Sequence, residues 1–167
     1  GNPLLGYPSM GSWVTYGLGS ANENLPGFVV LASGGKTPSA GKSLWGSGFL
    51  PTLYQGVQCR GTGEPVLFSQ NPKGFDDQLR KGTIDSINEL NRLQMAKHND
   101  PETLTRMAQY EMAYRMQREA PLVMDITKES QYTLDMYGAK PGQASFANNC
   151  LLARRLIEND VRFVQLY

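Results

Sequence analysis

One histidine and two cysteines in 167 residues leave little material for a metal centre or a nucleophilic relay. Ions such as zinc draw on clustered His, Cys and carboxylate side chains. The sequence shows no HExxH motif, no nucleophile elbow and no carboxylate cluster. His98 stands alone at a helix end among polar residues, where a solvated imidazole beside the helix dipole is expected. Cys59 and Cys150 are too few and too far apart for a disulfide framework. Cys150 falls in an apolar helical stretch, so a buried, inert thiol is expected there.

Excess charge is missing as well. Sixteen Lys and Arg face fifteen Asp and Glu, with no basic run or acidic tail. A general electrostatic attraction to nucleic acid needs clustered positive charge, so no nucleic-acid partner is expected. No apolar run approaches the roughly 20 residues that span a bilayer, so no membrane span is expected.

The ends of the chain suggest cuts. It opens Gly1-Asn2-Pro3, without an initiator Met or the basic and apolar regions of a signal peptide. It closes on the strand-like run 161–167, whereas termini are usually solvated and frayed. The expectation is one partial domain over 1–167, an internal segment of a larger protein. Residues 1–74 form its glycine-rich strand-and-loop part, and 75–167 form a helical part ending in a core strand.

Hydrophobic periodicity outlines the elements. A short helix is predicted over 12–18, and a strand over 27–31 between Pro26 and Gly34-Gly35. Residues 41–51 read as a loop or one-turn helix carrying Trp45 and Phe49, and 54–60 and 65–68 as short strands. An amphipathic helix is predicted over 76–98, with Leu79, Ile84, Ile87, Leu90 and Leu93 on its apolar side. Asp100 and Pro101 suit the cap and first position of a second long helix, running to about Glu119 ahead of Pro121. A helix over 131–137 closed by Gly138 follows, then one over 145–159 with Phe146, Cys150, Ala153, Leu156 and Ile157 facing the core. Helix, tight turn and apolar strand is how α/β folds feed a parallel sheet. The fold class is therefore α/β, a partial sandwich with a mixed or parallel sheet and covering helices.

Candidate chemistry is sparse. Gly34-Gly35-Lys36-Thr37, followed by Gly41-Lys42-Ser43, resembles a phosphate-binding loop. However, five residues separate Gly35 from Gly41 where four are required, and Gly46, Gly48 and Pro51 oppose a following helix. A nucleotide site is the remotest reading. Glu111 and Arg115 fall within the apolar stripe Leu104, Met107, Ala108, Met112 and Tyr114 of the second long helix. They must pair or reach a polar pocket, because unpaired burial of charge is costly. An ion pair tying this helix to the sheet is the simpler outcome. Asn22-Glu23-Asn24 is either a capped turn or a loop lining a site, and Trp13, Tyr16, Trp45 and Tyr54 are expected in the core.

Seven stretches together resemble a bacterial family of unknown function, numbered 1501 and grouped with sulfatases and alkaline phosphatases. They are residues 8–20 (PSMGSWVTYGLGS), 22–31 (NENLPGFVVL), 44–51 (LWGSGFLP), 54–57 (YQGV), 108–117 (AQYEMAYRMQ), 146–156 (FANNCLLARRL) and 161–167 (VRFVQLY). The resemblance implies an alkaline-phosphatase-like α/β/α hydrolase fold that cleaves sulfate or phosphate esters with a divalent metal in the full-length protein. The substrate would be a small-molecule or polysaccharide ester, and the protein exported or periplasmic. None of that family's metal or nucleophile motifs falls on a position of this chain, so no catalytic or metal residue is assigned and the segment is expected to be inactive alone. A non-catalytic binding or structural module on the same fold is the alternative. Ligands gather at the carboxyl ends of strands in such sheets, which points to Gln165 and Tyr167. Asn22, Asn24, Glu111 and Arg115 are the other candidates for positions near a site.

Overall fold

The computed structural model describes residues 6–33, 38–65, 71, 74–98 and 101–167. Its centre is a three-stranded parallel sheet in the order β2-β1-β3, made of β1 (Phe28–Leu31), β2 (Val57–Cys59) and β3 (Phe163–Leu166). Parallel strands are covered on both faces, so the central strand should be apolar throughout. All four residues of β1 are indeed buried. Val29 lies opposite Val57 and Val164, and Leu31 opposite Cys59 and Leu166. The two-residue repeat of a strand sends Val29, Leu31, Cys59, Val164 and Leu166 into one core. Phe28, Val30, Phe163 and Tyr167 enter a second, smaller core with Trp45.

The expected strand over 54–60 shrinks to Val57–Cys59, because Pro51 begins a 3-10 turn over Thr52–Tyr54. The amide of Tyr54 donates to the Pro51 carbonyl at 3.1 Å, which takes Tyr54 out of the sheet. The strand expected over 65–68 lies outside the described residues. A second 3-10 turn, Gly41–Trp45, seats Trp45 under the sheet.

Helix α1 (Met10–Leu18) begins two residues before the expected start, because the Ser9 hydroxyl caps it at Ser12. Helix α4 (Gln131–Tyr137) ends as expected at Gly138, whose φ of 66° is the left-handed conformation that favours glycine. Helices α2 (Asp77–His98) and α3 (Pro101–Val123) form a hairpin; Asp100, the expected cap between them, is outside the described residues.

Helix α3 runs past Pro121, beyond its expected end near Glu119. Proline costs an interior hydrogen bond, but here it falls in the last turn, where other partners serve the backbone. The Arg155 guanidinium donates to the Val123 carbonyl at 2.6 Å and to that of Leu122 at 3.4 Å. A cation at a helix C-terminus also meets the negative end of the macrodipole.

Helix α5 (Phe146–Glu158) forms where expected and buries Leu156 as expected, but the rest of its buried side differs. Its buried residues are Asn148, Asn149, Leu151, Leu152 and Leu156, while Phe146 and Ile157 are about half exposed. Asn148 accountably belongs inside. It accepts from the Lys140 amide at 2.7 Å and donates to the carbonyls of Lys140 and Gln143 at 2.7 and 2.6 Å. Paired in this way, a buried amide side chain costs little. Cys150 is thus only partly buried, and the buried thiol is Cys59, whose pKa burial pushes up to about 12.

The apolar side of α2 does not pack into the core. Leu79, Ile87, Leu90 and Leu93 are exposed, and among the described residues of α2 the buried one is Asn88. Of the four aromatics expected in the core, only Trp45 is there. Trp13, Tyr16 and Tyr54 join the exposed Phe49 in a run of edge-to-face contacts, with ring centroids 5.2 to 6.0 Å apart.

Candidate functional site

Three parallel strands place three carboxyl ends along one edge, the side where open α/β sheets bind ligands. At this edge the chain leaves β1 through Ser33, β2 through Arg60-Gly61 and β3 through Tyr167. The amide and hydroxyl of Ser33 both donate to the Tyr167 carbonyl, at 2.8 and 2.7 Å. The Gln165 side-chain amide donates to the Tyr167 hydroxyl at 2.5 Å. Trp45 lies against the phenol ring with centroids 5.8 Å apart. Burial raises the Tyr167 pKa, so the phenol is protonated at neutral pH.

A hollow of about 350 Å³ lies at the end of β2, lined by Arg60, Gly61, Thr62, Met124, Asp125 and Thr127 among others. The Asp125 carboxylate accepts from the Thr127 hydroxyl and amide at 2.5 and 3.0 Å, and these bonds lower its pKa. Behind Gly61 sits the buried Asn149 of α5, whose Nδ2 has no hydrogen-bond partner among the described residues. A Cβ on Gly61 would lie 2.4 Å from Asn149 Oδ1, so any larger residue there would displace the Asn149 amide.

The six residues singled out in the sequence fall in three places. Gln165 and Tyr167 meet at the carboxyl edge. Asn22 and Asn24 lie at the opposite, amino edge, in the loop entering β1. There Asn22 Oδ1 accepts from the amides of Asn24 and Leu25, and its Nδ2 donates to the Asn159 carbonyl at 2.7 Å. This is the capped turn, and it ties the entries to β1 and β3 together. Glu111 and Arg115 lie on α3, partly exposed and 3.8 Å apart. Glu111 also accepts from Asn88 at 3.1 Å, so their link runs to α2 and not to the sheet.

Ser33, Trp45 and the Gly61–Asn149 contact were not predicted as parts of a site. A serine between an apolar run and a double glycine was the available signal for Ser33; the others depend on long-range packing. Gly34, Gly35, Lys36 and Thr37 of the phosphate-loop resemblance lie outside the described residues, and Gly41–Trp45 forms a 3-10 turn, not an α-helix. Among the described residues, no three His, Cys, Asp or Glu side chains come together in a way that could hold a metal ion. The donors beside Tyr167 are neutral, whereas divalent ions favour carboxylate and imidazole ligands. The described residues therefore do not fit the divalent metal that the resemblance implies. None of the described helices is long and apolar enough to cross a membrane.

The architecture is that of an α/β protein with a short parallel sheet. Residues 1–167, the whole chain, match the family described as protein of unknown function (DUF1501), and the chain belongs to that family. No curated protein and no solved structure matches it.

Proposed function

We propose that this chain supplies the sheet and covering helices of a sulfatase-like, metal-dependent hydrolase of sulfate or phosphate esters. The supporting observation is the convergence of Ser33, Gln165 and Tyr167 at the carboxyl edge of a parallel sheet. The ester class rests on the resemblance of the sequence to a family grouped with sulfatases and alkaline phosphatases. In this reading the substrate is a small-molecule or polysaccharide ester, the protein is exported or periplasmic, and the metal ligands lie beyond the described residues.

What these side chains can do follows from their bonds. The Gln165 amide fills a lone pair of the Tyr167 hydroxyl, leaving the phenolic proton for an acceptor facing the edge. A protonated phenol is a suitable donor to a sulfate or phosphate oxygen. The Ser33 hydroxyl is committed to the Tyr167 carbonyl, so it acts as a tie between strands rather than a nucleophile.

Titration of the chain with 4-nitrophenyl sulfate and inorganic phosphate, followed by amide NMR, tests this reading. Saturable shifts are expected at Ser33, Gln165 and Tyr167, and Tyr167→Phe should weaken binding about tenfold. No saturable change at this edge would overturn the proposal. No turnover is expected from the 167-residue chain with added divalent ions.

A further inference from the structure

A mainly apolar hollow lies at the other end of the sheet. It encloses about 430 Å³, within the usual range of small-molecule pockets. Its floor is the start of β1, at Pro26 and Phe28, together with Val57 of β2. The end of α1 forms one wall, the Thr52–Tyr54 turn a second, and Gln109, Met112, Ala113 and Met116 of α3 a third. None of its lining residues is charged. Its polar groups are hydroxyls and amides, several of them already engaged. Thr15 donates to the carbonyls of Gly11 and Ser12, and Gln109 donates to Thr52 at 2.6 Å, joining two walls at the rim. Arg162, outside the lining, donates to the Gly19 carbonyl at 3.3 Å.

We infer that this hollow is a binding site for an uncharged, largely apolar small molecule carrying an aromatic ring. An anion or cation would lose its hydration here without gaining a countercharge, which is costly. A neutral ring gains contact with Met112, Leu53 and Tyr54, and Tyr54 is itself braced edge-on by Tyr16 at 5.2 Å. Three walls enclose such a molecule on its sides, whereas a helix or strand from another protein would need a longer, open groove. The site lies at the amino ends of the strands and owes nothing to the ester chemistry proposed at their carboxyl ends.

Fluorescence titration of the chain with the neutral probe N-phenyl-1-naphthylamine tests the inference. One saturable site is expected, with the anionic 8-anilino-1-naphthalenesulfonate binding about tenfold more weakly. Ala113→Phe projects into the hollow from α3 and should weaken the neutral probe about tenfold or more. Thr52→Phe does the same from the opposite wall and keeps the test open if the first variant misfolds. Leu93→Ser, on the exposed side of α2, should leave affinity unchanged. Undiminished binding in both folded Phe variants, loss of binding in Leu93→Ser, or equal affinity for the two probes would each overturn it.

Discussion

Helices α5 and α2 are both amphipathic by sequence, yet one is clamped into the core and the other lies on the outside. In α5, Leu151, Leu152 and Leu156 are at most 1% exposed against the sheet. Glu129 bonds both Arg154, at 2.9 Å, and Arg155. Arg155 in turn holds the end of α3, so one carboxylate joins α5, α3 and the segment ahead of α4. In α2, Leu90 and Leu93 are 62% and 58% exposed, and the helix packs mainly on α3. Apolar spacing sets which side of a helix could be buried, but burial itself needs a surface opposite.

Substitutions in the two helices should separate these cases sharply. Leu152→Ala should show the largest effect, a loss of about 3–4 kcal/mol, since it removes transfer energy and leaves a cavity. A change below about 1 kcal/mol in urea unfolding would mean that α5 is not anchored as described. Asn148→Ala comes next, at roughly 2–3 kcal/mol, because three backbone groups between α4 and α5 lose their partner. Hydrogen exchange should show residues 139–143 opening first; uniform loss of protection would argue against a local tie.

Glu129→Gln should cost about 2 kcal/mol at neutral pH, since two guanidinium groups lose their carboxylate. The sign of the pH dependence is set by the hydrogen bond from Arg155, followed by that from Arg154. These hold the Glu129 pKa below its ordinary 4.5. The stabilisation is therefore complete above pH of about 4.5 and lost as pH falls through the lower folded value. The gap between wild type and Glu129→Gln in urea midpoints should narrow only on acidification; a constant gap would exclude the ionised clamp. The smallest effect belongs to Leu90→Ser on α2, within about 0.5 kcal/mol. A loss near that of Leu152→Ala would show that α2 is covered and erase the contrast.

Much of the framework was legible from local chemistry. Gly138 marked the end of α4, the apolar runs marked β1 and β3, and the helix before β3 implied a parallel sheet. At the candidate site, Gln165 and Tyr167 followed from strand direction alone. Trp45 and Ser33 did not, because their roles depend on residues more than a hundred positions away. The buried side of α5 was foreseen only in part, at Leu156, because asparagine counts as polar until its partners in 140–143 are known.

The sequence by itself determined where most helices and strands form, because caps, prolines, glycines and apolar spacing act within a few residues. It also determined the family, since matching residues span the whole chain. Only the tertiary structure decided which faces are buried, that Asn148 belongs inside, that Trp13 and Tyr16 stay outside, and that the two ends of the sheet carry different surroundings. Those outcomes depend on what each side chain meets across the chain, and no local pattern carries that information.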